Sequence, residues 1–130
     1  MVSVLLDTAT LLYWHQHFDK LTASAKDAID QASVELSGMI STVSIYELGI
    51  KAKKGKLTLF LSIQELTQRL QVSQISLLPP TGEVMLKAVE LDWEHRDPFD
   101  RIIVATPLTL NVPIITPDNK IRDFYQATIW

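Results

Sequence analysis

The sequence contains no cysteine, which excludes disulfide bonds, thiolate metal sites and cysteine nucleophiles. Glycine and proline are scarce, with 4 and 6 residues among 130, so collagen-like and low-complexity structures are excluded. The chain also lacks a basic excess. Its net charge of -3 argues against binding nucleic acid by bulk attraction, although a locally basic groove remains compatible. With 47% apolar residues, the sequence predicts a single folded domain over residues 1–130.

Targeting and membrane signals are missing from the N-terminal segment. Residues 1–6 include no basic residue, and the chain reaches Asp7 too early for a signal peptide or a membrane span. We therefore expect no membrane association and a cytoplasmic location.

Short apolar runs alternate with helical patterns along the chain. Strands are predicted at 2–6, 36–41, 74–78, 112–116 and 128–130. Helices are predicted at 8–18, 23–32, 44–54, 63–71, 81–91 and 97–104. This alternation predicts an α/β fold with a largely parallel sheet that is covered by helices on both faces. Ligands bind such sheets beyond the carboxyl ends of the strands.

Three local patterns predict where helices begin and end. Ser44 and Glu47 match the S-x-x-E capping box that opens a helix. Asp97 followed by Pro98 is typical of an N-cap with proline at the first helical position. Pro107 has no N–H to donate, so we expect it to kink or end the helix that contains it.

Four acidic side chains are predicted to converge on one edge of the sheet. Asp7 and Asp118 each follow an apolar strand, while Glu47 and Asp100 each fall in the first turn of a predicted helix. Two unit charges roughly 4 Å apart repel by about 4 kcal/mol at an effective dielectric constant near 20, so we expect a bound cation. Oxygen ligands favour Mg²⁺ or Mn²⁺, and paired ions of this kind support phosphodiester hydrolysis.

Each acid also has a purely structural explanation. Asp7 can cap the helix that follows it, and Glu47 can complete a capping box. Asp97 fits an N-cap better than a metal ligand. Asp100 can complement a helix dipole, and Asp118 can be a turn residue. The metal-site hypothesis therefore depends on the joint pattern and not on any one residue.

Four spaced motifs run through the chain in order: LLDT at 5–8, STVSIYELGIK at 41–51, HRDPFDR at 95–101 and IITPD at 114–118. Together with the final IW they resemble the PIN-domain family and, within it, the VapC-type toxin ribonucleases of type II toxin–antitoxin systems. The resemblance implies a three-layer α/β/α sandwich with a central, mainly parallel sheet. It further implies Mg²⁺-dependent (or Mn²⁺-dependent) cleavage of RNA, a homodimer and a cognate antitoxin protein as partner.

The same resemblance assigns roles to individual residues. It identifies the metal-binding catalytic acids as Asp7, Glu47, Asp100 and Asp118. An additional acid of this subgroup is Asp97. We assign substrate contacts to residues in or beside the motifs, namely Ser44, Lys51, Lys54, Arg101 and Thr116, although the basic run at 51–56 also suits a solvated helix face. We interpret the histidines, which share no metal-ligand spacing, as surface or loop residues: His15, His17 and His95.

Two other functions remain open from the sequence. A receiver domain that accepts a phosphoryl group on aspartate is another small α/β fold. It requires paired acids after the first strand and a late lysine, where this chain has a single Asp7 and then Asp118. A non-catalytic PIN fold that binds RNA or protein is the second alternative, and the four intact acids argue against it.

Overall fold

Five parallel strands form one sheet in the computed structural model, which describes residues 3–130. In chain order the strands are β1 (Val4–Leu6), β2 (Gly38–Ser41), β3 (Ser76–Leu78), β4 (Ile114–Ile115) and β5 (Thr128–Ile129). Their spatial order is β3-β2-β1-β4-β5, with parallel pairing throughout. β1 is therefore the central strand, with β2 and β3 on one side and β4 and β5 on the other. All five predicted strands are confirmed, except that Val2 of the first prediction lies outside the described residues.

Helices connect the strands and cover the sheet. They are α1 (Thr8–Gln16), α2 (Ala23–Glu35), α3 (Thr42–Lys53), α4 (Ile63–Val72), α5 (Gly82–Glu90), α6 (Pro98–Leu110) and α7 (Asn119–Phe124). A short 3-10 helix, Phe18–Lys20, follows α1. Within residues 3–130, no helix combines the length and the apolar character needed to cross a bilayer.

The central strands are buried on both faces. Leu5 and Ile114 lie in a core cluster with Ile103 of α6, whereas Leu6 and Ile115 lie in a second cluster with residues of α1 to α4. Successive side chains of a strand point to opposite faces, so these two clusters occupy the two sides of the sheet. The fold is therefore a three-layer α/β/α sandwich, as the resemblance implied.

Helix α3 begins earlier than the sequence pattern predicted. Its N-cap is Ser41, whose side chain accepts a hydrogen bond from the first turn, so β2 passes directly into α3. Ser44 lies inside the helix and Glu47 in its second turn, and the capping box predicted between them is wrong. A capping box forms instead at Ser62 and Glu65, where it opens α4.

Helix α6 continues through Pro107 to Leu110, so the predicted break at this proline is wrong. A proline inside a helix costs about 3 kcal/mol. Burial of Ile103 and Val104, which are fully enclosed, contributes about 1.5–3 kcal/mol for each side chain and offsets that penalty. The helix ends where Asn111 adopts a left-handed conformation with φ of 56°.

Candidate active site

The candidate site lies at the carboxyl ends of β1 and β4, where the order of the strands reverses. Asp7 follows β1 directly, and Asp118 comes shortly after β4 and caps α7, a helix that the sequence pattern did not predict. Open α/β sheets bind ligands at such a reversal point. The first turn of α6 adds Asp100, and the second turn of α3 adds Glu47.

A cavity of about 350 Å³ opens at this edge of the sheet. We call it the acidic pocket. Its charged lining consists of five acids and two lysines: Asp7, Glu47, Asp97, Asp100, Asp118, Lys51 and Lys56. The structure thus brings together the four acids that the sequence singled out, with Asp97 beside them.

Asp7 is the most enclosed acid of the pocket together with Glu47, and each has an exposed fraction of 3%. Its Oδ1 accepts a hydrogen bond from the N–H of Thr10 at 2.8 Å, and its Oδ2 accepts one from the hydroxyl of Thr116 at 2.5 Å. Burial raises the pKa of Asp7 to about 6 although these hydrogen bonds lower it, and the charge of Asp100 raises it slightly further. An ionised Asp7 is therefore destabilised by its surroundings unless a cation binds beside it.

Glu47 has a partner on each carboxylate oxygen. Its Oε1 lies 2.7 Å from the hydroxyl of Thr8, and its Oε2 accepts a hydrogen bond from Lys51 Nζ at 2.7 Å. The Thr8 hydroxyl also lies 2.9 Å from Ser44 Oγ. Because a hydroxyl has one proton and a carboxylate can only accept, Thr8 donates to Glu47 and Ser44 donates to Thr8. Ser44, a predicted substrate contact, is fully buried and is not among the residues that line the acidic pocket; its hydroxyl positions Thr8.

The two lysines of the pocket come from either side of the C-terminus of α3. Burial lowers the pKa of Lys51, but the hydrogen bond and charge of Glu47, with the nearby aspartates, outweigh it and the net pKa is raised. Lys56 reaches the pocket because Gly55 turns the chain with φ of +73°. Lys54, which the sequence analysis assigned to substrate, is an exposed C-cap of α3 and does not line the pocket, whereas Lys56 does.

Asp97 and Asp100 form the α6 side of the pocket. Asp97 Oδ1 accepts hydrogen bonds from the N–H groups of Phe99 at 2.9 Å and Asp100 at 3.4 Å, which confirms the predicted N-cap. Burial raises the pKa of Asp100 against the hydrogen bond from His95, and the charges of Asp97, Glu47 and Asp118 raise it further. The carboxylates therefore interact electrostatically across the pocket.

His95 belongs to this cluster, which the sequence interpretation missed. Its Nε2 lies 2.6 Å from Asp100 Oδ2, and side-chain atoms of His95, Asp97 and Asp100 lie within 4.8 Å of one another. The spacing of the histidines gave no sign of this because the partner is a carboxylate. His15 is partly buried, and this burial, with a smaller contribution from Arg69, lowers its pKa to about 4.

Thr116 connects two of the acids. It is fully buried, donates a hydrogen bond to Asp7 Oδ2 and accepts one from the N–H of Asp118 at 3.0 Å. Asp118 in turn caps α7 by accepting a hydrogen bond from the N–H of Lys120 at 2.9 Å. Thr116 was predicted to contact substrate; in the structure its enclosed hydroxyl is hydrogen-bonded to Asp7.

Arg101 does not line the acidic pocket, and its predicted contact with substrate is not supported by the structure. Its guanidinium donates hydrogen bonds of 2.8 to 3.1 Å to four backbone carbonyls, one in the last turn of α5 and three in the segment between α5 and α6. The acceptors are Ala88, Leu91, Trp93 and His95. With its donors engaged in this way, Arg101 fixes the segment 91–97 that leads to the two α6 acids.

We expect Arg101→Lys to lower the free energy of unfolding by about 2 kcal/mol, because one ammonium group cannot reproduce a fork of hydrogen bonds to several carbonyls. Urea denaturation measures this change. The matched control is Arg122→Lys, an exposed residue of α7 that should alter stability by less than about 0.5 kcal/mol. Equal effects of the two substitutions would contradict the structural role of Arg101.

The donor set of the pocket fits a hard divalent cation. Asp97, Asp100 and Asp118 each use one carboxylate oxygen within the protein and leave the other without a hydrogen-bond partner among residues 3–130. Oxygen ligands of this kind are those that Mg²⁺ and Mn²⁺ prefer. Five carboxylates beside two lysines also leave a local negative charge that a cation would neutralise.

Comparison with known proteins relates this fold and site to a family. Residues 4–127 match the family model of the PIN domain. The chain is 28% identical to ribonuclease VapC22 of Mycobacterium tuberculosis, with 100% of both chains covered. VapBC2 from Rickettsia felis, solved bound to a DNA fragment from its promoter, shares 15% identity with a TM-score of 0.68 over 100% of both chains. A toxin–antitoxin complex from Klebsiella pneumoniae shares 22% identity with a TM-score of 0.63, covering 98% of this chain and 97% of that one.

Proposed function

The chain belongs to the PIN-domain family, and on this premise we propose that it is an endoribonuclease that hydrolyses RNA with Mg²⁺ or Mn²⁺ held in the acidic pocket. The observation that carries the proposal is the convergence of Asp7, Glu47, Asp100 and Asp118 on one cavity. The full-length match to a protein named a ribonuclease supports the same reaction. Of the alternatives, a PIN fold that binds RNA without cleaving it remains for experiment to exclude.

The side chains of the pocket would have different roles in such a reaction. Asp100 and Asp118 have carboxylate oxygens available to hold the cation, and Asp7 and Glu47 supply further negative charge beside them. Divalent ions in such a site activate a water molecule and stabilise the charge that develops on the phosphate oxygens. Lys51 and Lys56, on the same lining, are placed to attract the RNA backbone.

We propose two protein partners, an antitoxin and a second copy of this chain. The antitoxin is supported by the solved structures of the same fold, which are a toxin–antitoxin complex and a VapBC protein. The homodimer is supported by α5, where exposed apolar side chains recur at helical spacing as Met85, Leu86 and Val89. Size-exclusion chromatography with light scattering measures the mass, and a monomer at micromolar concentration would contradict the homodimer.

We expect the purified protein to cleave RNA in the presence of Mg²⁺ or Mn²⁺, because the reaction would depend on a divalent cation that the carboxylates hold and that activates the attacking water. EDTA should abolish the cleavage, and an excess of Mg²⁺ should restore it. Gel electrophoresis of a labelled RNA measures both effects, with Asp100→Asn as the inactive control. Cleavage that persists in EDTA would contradict the mechanism, and RNA binding without cleavage would identify a non-catalytic module.

A further inference from the structure

His95 connects the segment 91–97 to the acidic pocket. Its Nε2 lies 2.6 Å from Asp100 Oδ2, with side-chain exposed fractions of 16% and 19% for the two residues. The His95 ring also packs edge to face against Trp93, with ring centroids 4.8 Å apart. Trp93 in turn stacks on Phe124 of α7 at 4.7 Å with an angle of 15° between the planes. The imidazole is therefore held by an aromatic stack at the side of the pocket.

The backbone of His95 is fixed as firmly as its ring. The guanidinium of Arg101 donates hydrogen bonds to the carbonyls of His95 at 2.9 Å and Trp93 at 2.8 Å. Arg101 is the residue next to Asp100 on α6. The segment that presents the imidazole and the acid that receives it are thus attached to the same helical turn.

We propose that His95 is a positioning residue for the metal site, whose Nε2–H holds Oδ2 of Asp100 and so leaves Oδ1 as the oxygen available to a divalent cation. The inference rests on the proposed function. A carboxylate whose second oxygen is hydrogen-bonded does not have to be ordered when the cation binds. Partners of this kind, which contact a ligand and not the metal, typically change metal affinity by 10–100-fold.

A direct metal–imidazole bond is the competing arrangement, since His95, Asp97 and Asp100 lie within 4.8 Å of one another. Two observations favour positioning. An Nε2 that donates its proton to Asp100 has no lone pair to offer, and Mg²⁺ and Mn²⁺ prefer oxygen to nitrogen ligands.

The test separates the two contacts that His95 makes. His95→Phe keeps an aromatic ring against Trp93 but has no N–H, whereas His95→Gln has an amide N–H at similar reach and no ring. Titration with Mn²⁺ alone, followed by the electron paramagnetic resonance signal of free Mn²⁺, gives the Kd of the full chain. We expect His95→Phe to raise Kd by about 10–100-fold and His95→Gln to recover most of the wild-type affinity.

A double-mutant cycle adds a second readout. In an Asp100→Asn background the carboxylate that His95 holds is absent, so His95→Phe should raise Kd by less than about twofold there. Melting temperatures without metal confirm that each variant is folded. If His95→Phe does not fold, His95→Asn replaces it, because the shorter amide cannot reach Asp100.

Several results would overturn the inference. One is an unchanged Kd in His95→Phe or its Asn substitute, and another is an equal loss in the Phe and Gln variants. A strong ¹⁴N hyperfine coupling in the electron paramagnetic resonance spectrum of Mn²⁺ bound to the wild-type protein would show that the imidazole binds the ion directly, and His95 would then be a ligand. Failure of the wild type to bind Mn²⁺ would remove the proposed function as well, whereas binding that Asp100→Asn weakens and His95→Phe does not would remove only the inference.

Discussion

Asp7→Asn is expected to reduce the rate of RNA cleavage by at least about 100-fold at saturating Mg²⁺, which corresponds to about 2.7 kcal/mol of transition-state stabilisation. The substitution removes the negative charge at the centre of the acidic pocket. It keeps the N-cap of α1, because an asparagine Oδ1 can still accept the hydrogen bond from the N–H of Thr10. The asparagine amide replaces the Oδ2 that accepts from the Thr116 hydroxyl, so a melting curve of the variant is measured to show that it is folded. Loss of activity would thus report on charge and not on unfolding.

Initial rates on a fluorogenic RNA measure the effect, with two control substitutions. Asp30→Asn changes an exposed acid of α2 and should leave the rate unchanged. Asp97→Asn should reduce it by less than about tenfold, because asparagine is as good an N-cap as aspartate and Asp97 uses Oδ1 for capping. If Asp97→Asn were as damaging as Asp7→Asn in a folded protein, Asp97 would have to be counted among the metal ligands.

The elements that the sequence predicted correctly are those that local patterns determine. The buried strands appear as continuous apolar runs, because a parallel sheet is covered on both faces. Asp7 and Asp118 follow two of these runs, so their meeting at one edge follows from strand direction alone. The N-cap at Asp97 was equally local, since it needs only the residue itself and the proline after it.

The errors arose where a tertiary contact overrides a local pattern. Glu47 was placed in a capping box, but its oxygens are bound by Thr8 and Lys51. Pro107 was expected to end α6, but burial of that helix outweighs the loss of one backbone hydrogen bond. Arg101 was assigned to substrate because it lies in a motif, yet its acceptors are backbone carbonyls, which carry no sequence signal.

The roles of the site residues were harder to predict than the identity of the residues that form the site. Thr116 was assigned to the substrate because it lies in a motif, whereas it is enclosed and holds Asp7. His95 was interpreted as a surface or loop residue because no second histidine stands at a metal-ligand spacing; it does lie in a loop, but its partner there is Asp100. In both cases the deciding fact is a side-chain contact whose partner the spacing of residue types does not reveal.

Stability and function are expected to oppose each other at Asp7. In metal-free protein at pH 7, Asp7→Asn should raise the free energy of unfolding by about 3 kcal/mol. Burial raises the pKa of Asp7 from its ordinary value of 3.8 to about 6, and a shift of about two pKa units corresponds to roughly that energy. The sequence analysis considered only the repulsion between acids. In the structure, burial is the larger cause of the raised pKa of Asp7, and the charge of Asp100 is a minor one.

The dependence on pH has a definite sign. Because the folded state holds the Asp7 proton more tightly than the unfolded state, folding binds protons between about pH 4 and pH 6. The contribution of Asp7 to stability is therefore complete below pH 3.8 and is lost as the pH rises through about 6. The advantage of Asp7→Asn over wild type should be small at pH 4 and reach its full size by pH 7.

Addition of Mg²⁺ should remove most of this difference in stability, because the ionised carboxylate that destabilises the metal-free protein is the form that attracts a cation. At about 100 times its Kd the ion stabilises the folded wild type by roughly 2.7 kcal/mol, a rise in Tm on the order of 10 °C for a domain of this size. Asp7→Asn should gain much less, and the exposed Asp30→Asn should behave as wild type.

Thermal melting in EDTA and in millimolar Mg²⁺, each at pH 4.5 and 7.5, tests both expectations. Equal Mg²⁺ shifts in wild type and Asp7→Asn would show that the charge of Asp7 does not contribute to cation binding, and a stability difference independent of pH would show that burial does not control its protonation.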